Sequence, residues 1–181
     1  ALDRSLPELK AGPVEKQRIH FALTSDGVSI AYCSMGQGMP LLAISGWMSH
    51  LELDLETPYG EAFVEGLSDG GRRRLIRFDM RGSGLSDRNV KDISVPARVR
   101  DIEAVVDQLG LDRVAIFAWS MNGPPAIIYA AEHPEKVSHL ILYGTFAHQE
   151  HADREPLGRA LVDLVRADWR IGSRAIVEFE H

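Results

Sequence analysis

The apolar positions of this chain change period abruptly at one place, and that change is its most informative feature. From Val114 to Phe117 they are β-branched or bulky and run on without a break, as in a strand buried on both faces. Beyond Ser120 they recur at helical spacing through Ile127, Ile128 and Ala131, until Pro134 stops them. The pattern predicts a strand, a sharp turn at Ser120 and a helix beginning at Met121.

The same reading orders the rest of the chain. Arg18 to Leu23 and Val28 to Ser34 are strand-like runs around Thr24-Ser-Asp-Gly27, a hairpin turn with Gly where a positive φ is easily supplied. Leu41 to Ile44 is a third strand, apolar throughout. Tyr59 to Leu67 reads as a helix closed by Gly70-Gly71, and Arg74 to Phe78 as the next strand. Ser94 can cap a helix whose stripe is Val99, Ile102, Val106 and Leu109, with Gly110 as the stop. Val137 to Tyr143 is the last strand, and Leu157, Leu161, Leu164 and Val165 place a helix over Pro156 to Trp169. This alternation describes an α/β fold, a mostly parallel sheet covered by helices on both faces. Three segments follow: a leader or linker at 1–16, the core at 17–150 and the start of a helical cap at 151–181.

With 181 residues, 45% of them hydrophobic and 25% charged, one core is the expectation. Twenty basic against twenty-six acidic residues give a net charge of −6, which leaves no electrostatic footprint for nucleic acid or an acidic membrane. Arg72-Arg73-Arg74 reads as a solvated strand entry. Cys33 is the single cysteine, so no internal disulfide forms. Without a signal-peptide pattern or a membrane-length apolar run, a cytoplasmic location is expected.

Chemistry enters at Ser120. A serine hydroxyl becomes a nucleophile only when it is held clear of its own backbone and beside a base, and a strand-to-helix turn achieves the first condition. The alternative is an ordinary helix N-cap. The glycine-rich stretch Asp79 to Asp87 lacks both the Lys of a phosphate loop and the spacing of a dinucleotide fingerprint, so no cofactor is expected. His50, His148 and His151 are the local imidazoles, and no spacing marks any of them as a base. His148 and His151 with Glu150 and Asp153 lack a ligand framework, so no metal is expected. His20, His133 and His139 read as structural.

Ala118-Trp-Ser-Met-Asn122 resembles the nucleophile elbow of the α/β-hydrolase family, Gly-x-Ser-x-Gly, with Ala118 and Asn122 in place of the two glycines. The early hairpin, the loop after Leu41–Ile44 and the Asp79-Met-Arg-Gly-Ser-Gly-Leu-Ser turn agree with that family in order, so the resemblance spans roughly residues 17 to 150. Ser-Asp-Gly-Val-Ser-Ile-Ala-Tyr32 and His-Pro-Glu-Lys-Val-Ser-His-Leu-Ile-Leu-Tyr-Gly144 further resemble hydrolase domains attached to bacterial adenylate cyclases and winged-helix regulators.

The resemblance implies a carboxylesterase-like enzyme that cleaves an ester or related acyl bond through an acyl-enzyme on Ser120. The backbone N–H groups of Trp47 and Met121 would form the oxyanion hole, Ser45 stands where many members have His, and the Asp79 turn is structural. It also implies a catalytic acid and His on later strands, which these residues do not include. The chain is therefore expected to be an N-terminal piece. Its partner would be a complementary C-terminal fragment or chain that adds strands beside Val137–Tyr143, since that strand would otherwise be an exposed apolar edge. The rival reading is a small-molecule sensor that keeps the fold and turns over little or not at all.

Overall fold

The computed structural model describes residues 17–46, 49–147 and 156–180, so the leader expected at 1–16 lies outside the described residues. The hairpin joins β1 (His20–Leu23) to β2 (Ser29–Met35) in antiparallel pairing. Thr24 closes its turn. The Thr24 N–H donates to the Val28 carbonyl at 2.9 Å, its hydroxyl oxygen accepts from the Val28 N–H at 2.8 Å, and Gly27 takes the positive φ of 82°.

Four further strands, β3 (Pro40–Ile44), β4 (Arg74–Phe78), β5 (Val114–Trp119) and β6 (Val137–Tyr143), pair in parallel, and β2 joins β4 antiparallel. The resulting order is β1-β2-β4-β3-β5-β6. As expected, the strands from Leu41 and Val114 lie inside a mostly parallel sheet. β6 is at its edge, with Ile141, Leu142 and Tyr143 at 47%, 44% and 56% exposure.

Connections cover the two faces. The helix α1 (Pro58–Ser68) carries the chain from β3 to β4, and α2 (Val95–Gln108) carries it back across β3 to β5. Right-handed crossovers running in opposite directions along a sheet must lie on opposite faces. On one face, Val99, Ile102, Val105 and Val106 of α2, with Ala126 and Tyr129 of α3 (Gly123–Glu132), pack onto Ile30, Leu42, Ile44, Ile76, Phe78, Val114 and Ile116. Each such aliphatic or aromatic side chain, taken fully from water, contributes about 1.5–3 kcal/mol. On the other face, Val64 of α1 and Leu51 join Ala31, Cys33, Leu41, Ala43 and Leu75. Ser94 caps α2 as predicted, its hydroxyl accepting from the Ala97 N–H at 3.4 Å.

The turn after β4 is secured by charge. Arg81, fully buried, bonds Asp101 through Nε at 2.8 Å and clasps Asp26 of the hairpin turn with both terminal nitrogens, at 2.7 and 2.9 Å. The bidentate Arg81 contact holds the Asp26 carboxyl far below the usual carboxylate range. Hairpin, turn and α2 are thereby tied at one point.

Residues 147–181 form a second compact unit. It contains α4 (Pro156–Ala167) and α5 (Trp169–Glu180), in contact where Gly172 meets Val165: a Cβ on Gly172 would lie 2.5 Å from the Val165 Cα. The single helix predicted to run through Trp169 is corrected here. The chain breaks at Asp168, whose carboxylate accepts from the Ile171 N–H at 3.0 Å and starts a second helix that the apolar spacing alone did not reveal.

Candidate active site

The sheet order reverses between β3 and β5: the chain leaves β3 toward β4 on one side and leaves β5 toward β6 on the other. In open α/β sheets the crevice beyond the carboxyl ends of two such strands is where ligands bind. Ser120 is the first residue after β5 and Ser45 the first after β3, and the register sets Ile44 opposite Ala118 just before them. The predicted turn is thus brought to the switch point.

Ser120 has φ 55°, in the left-handed region, which costs a residue bearing a Cβ roughly 1–2 kcal/mol. Among the described non-glycine residues only Asp69 shares a positive φ, and Asp69 is the left-handed end of α1. Ser120 follows a strand directly. Its conformation comes from reversing the chain without a loop, and the helix expected at Met121 begins instead as a 3-10 turn, Ser120–Asn122, before α3 takes over at Gly123.

Two side chains hold this turn. Thr145, just past β6, donates from Oγ1 to the Ser120 carbonyl, and Gly123 passes so close that an added Cβ would meet Thr145 Oγ1 at 2.0 Å. Gly123 has φ −61°, so the requirement for glycine here is one of space alone. Asn122 is 0% exposed, and its Nδ2 donates to the carbonyls of Ser45 and, at 3.1 Å, of Gly46. A Cβ on Gly46 would lie 3.9 Å from the Ser120 Cβ, so the strand-β3 loop faces the serine. Neither Asn122 nor Thr145 was assigned a role from sequence. The one signal was Asn122 itself, a larger side chain at a position where a small one is wanted.

Of the expected oxyanion donors, Met121 lies in the 3-10 turn immediately after Ser120, and Trp47 lies outside the described residues. The loop beyond Trp47 is anchored by Asp79, which is fully buried. Its Oδ1 accepts from Ser49 Oγ at 2.7 Å, and Oδ2 accepts from the N–H groups of Leu51 at 3.2 Å and Leu85 at 2.9 Å. Gly84 leaves room for that carboxylate, since a Cβ there would sit 2.1 Å from Oδ2. Ser86 Oγ donates to the Asp79 carbonyl at 2.5 Å and accepts from the Ala31 N–H at 2.8 Å. These contacts join the loop after β3 to the turn after β4, and Ser86 ties that turn to β2 at Ala31. Further along, Arg77 reaches Asp54 at 2.6 Å; burial nevertheless raises the Asp54 carboxyl above its ordinary value, with Arg77 acting against it.

Rings flank the strand that carries the serine. Phe63 of α1 lies 5.6 Å from Trp119 and 5.9 Å from Phe117, and Tyr143 is 6.1 Å from each of the latter two. These spacings suit aromatic packing.

Among the candidate bases, His50 uses Nδ1 to accept from the N–H groups of Glu52 and Leu53, both at 3.3 Å, and so starts the short 3-10 helix Leu53–Glu56. His148 and His151, like Glu150 and Asp153, lie outside the described residues. His133, at the far end of α3 from Ser120, packs its ring at a 41° tilt against Tyr129, 4.8 Å between centroids, and reaches Glu103 at 3.4 Å. Glu103, Glu132 and His133 bring ligand-type atoms within 4.8 Å of one another there. That grouping is removed from the serine by the length of the helix.

A family model described as the alpha/beta hydrolase fold matches residues 40–165. An AB hydrolase superfamily protein of Bacillus subtilis is 30% identical over 129 residues, 71% of this chain and 46% of that protein. A cis-3-alkyl-4-alkyloxetan-2-one decarboxylase of Shewanella oneidensis is 30% identical over 146 residues, 78% of this chain and 43% of that protein. Among solved structures, an esterase from Exiguobacterium antarcticum has a TM-score of 0.70 at 25% identity, covering 87% of this chain and 59% of its own. An esterase from a Rhodococcus species has a TM-score of 0.70 at 27% identity, covering 89% and 60%. The chain thus spans less than half the length of these curated relatives. Among the described residues no helix is long and apolar enough to cross a membrane.

Proposed function

Because the chain belongs to the α/β-hydrolase fold family, we propose that it carries the nucleophile of a serine hydrolase, Ser120, which attacks an ester or related acyl bond and forms an acyl-enzyme. The observation that carries this reading is the φ of 55° at Ser120, directly between β5 and a 3-10 turn at the point where the sheet order reverses. Strain of that kind is retained where it serves a site, because a mere N-cap does not require it.

In the mechanism the Ser120 hydroxyl loses its proton to a base as Oγ bonds the acyl carbon. The carbonyl oxygen takes on negative charge, which the N–H of Met121, ahead of the helix, and the N–H of Trp47 would stabilise. As that adduct collapses, the base passes the proton to the departing oxygen, which leaves as the alcohol with the acyl group on Oγ; water then attacks the acyl carbon, giving its proton to the base, and Oγ recovers that proton as the acid departs. The base and its carboxylate partner come from a complementary C-terminal piece of the fold. Two observations favour that division: the curated relatives are more than twice the length matched here, and β6 leaves Ile141, Leu142 and Tyr143 largely uncovered among the described residues.

The test is a fluorophosphonate probe applied to the complete protein. Ser120 should be labelled, and Ser120→Ala should abolish labelling with the fold retained. Labelling that survives the substitution would assign the chemistry to another residue; a wild-type protein that binds small acyl compounds but is never labelled would be the sensor instead.

A further inference from the structure

We infer that Thr145 is a positioning residue for the attack by Ser120: its hydroxyl fixes the peptide between Ser120 and Met121, which joins the nucleophile to an oxyanion donor. The assignment rests on the hydrolase reading above. Thr145 Oγ1 donates to the Ser120 carbonyl, and the same carbonyl accepts from the Gly123 N–H within the 3-10 turn. One bond is local. The other comes from the chain leaving β6, which the pairing of Trp119 with Tyr143 brings alongside the end of β5.

Two donors from different segments use both lone pairs of the carbonyl oxygen and leave its direction little freedom. A trans peptide is planar, with carbonyl and N–H on opposite sides, so the Met121 N–H is turned away from Thr145. Helical peptides direct their N–H groups toward the helix start, and the first of these find no acceptor within the helix. The direction of the Met121 N–H is thus set in part from outside its own turn. The same bond bears on the nucleophile. Trp119 ends β5, so the Ser120 Cα lies between a peptide held by the sheet and one held by Thr145. With both planes fixed, the Cα–Cβ bond has one direction, and the φ of 55° is kept rather than relaxed.

Stability alone does not call for this hydroxyl. Without it the Ser120 carbonyl would still accept from Gly123, so no acceptor would be orphaned. Space is nevertheless cleared for it, since a Cβ on Gly123 would lie 2.0 Å from Thr145 Oγ1. A bond that the fold can do without, yet makes room for, points to a use in the reaction.

Thr145→Val removes the donor and keeps the shape of the side chain, whereas Thr145→Ser keeps the donor. In the complete protein a fluorophosphonate reads the reaction directly: Ser120 Oγ bonds phosphorus, its proton passes to the base and fluoride leaves. We expect the labelling rate at saturating probe to fall at least about tenfold in Thr145→Val, short of the roughly 10²–10³-fold that follows loss of an oxyanion donor. The half-saturating concentration should change by less than about twofold, because ground-state binding does not use that donor. Thr145→Ser should recover most of the rate, and both variants should melt close to wild type. An unchanged rate in Thr145→Val, a Thr145→Ser protein no faster than Thr145→Val, or a loss that follows the melting temperature would overturn the assignment. Should Thr145→Val not fold, Thr145→Ala, which relieves the crowding at Gly123, must show the same loss of rate. If wild-type Ser120 is labelled and Thr145→Val keeps its rate, only the positioning role fails; if Ser120 is never labelled, the hydrolase reading and the positioning role fail together.

Discussion

Thr145 Oγ1 donates to the carbonyl of Ser120, so the residue that follows β6 by two positions holds the residue that directly follows β5. The contact is possible only because the next element of the turn has no side chain to interfere. A Cβ on Gly123 would lie 2.0 Å from Thr145 Oγ1, 2.8 Å from its Cγ2 and 2.9 Å from its Cβ.

Gly123→Ala should accordingly lower stability by about 1–3 kcal/mol through overpacking, measured by urea unfolding. Thr145→Ala in the same chain should restore part of the loss, since it removes the two nearest atoms. A Gly123→Ala protein as stable as wild type would mean that the two segments are not in contact.

The backbone at Ser120 makes a separate prediction. Glycine occupies the left-handed region freely, whereas alanine does not, so Ser120→Gly should be more stable than Ser120→Ala by about 1 kcal/mol. Both lose the nucleophile. Comparing two inactive variants isolates the strain from any effect of catalysis, and equal stabilities would place Ser120 in an unstrained conformation.

Arg81 is fully buried between two carboxylates, one of which, Asp101, is itself 0% exposed. Arg81→Met strands that carboxylate without its partner and should cost about 3–5 kcal/mol. Arg81→Met combined with Asp101→Leu should recover most of this, because neither buried charge of the pair then remains. Denaturant midpoints of the three proteins check the pair.

The same network gives acid its grip. The Asp26 carboxyl is held low by Arg81, so the stability it contributes is present above the unfolded value near pH 4 and declines as pH falls below it. Asp26→Asn should therefore cost more stability at pH 7 than near pH 2.5, about where part of the contribution has gone and the rest persists because the folded-state carboxyl is held lower still. Unfolding curves at the two pH values would disprove this if the loss were the same at both.

What could be read from the sequence depended on the range of the interaction responsible. Strands such as Arg74–Phe78 and Val137–Tyr143 were legible to the residue, because an apolar run bounded by turn residues is a local property. Ser120 was legible for the same reason, as a break in period. Asn122 and Arg81 were not, since the first is explained by carbonyls 76 and 77 residues away and the second by Asp26, 55 residues back. The break between α4 and α5 was readable but unread: Asp168 before Trp169 is a helix-capping residue, and the apolar stripe of the preceding helix masked it.

Cys33 sits at 0% exposure in the middle of β2, its Sγ donating to Gln17 Oε1 at 3.3 Å, and burial pushes the thiol up to about 11. A thiol so placed is silent toward maleimides and disulfide reagents while the sheet is closed. Since it is the one cysteine of the chain, its modification becomes a clock for the separation of β2 from its neighbours, and a cysteine introduced anywhere on the surface would be the only site a dye or spin label could reach.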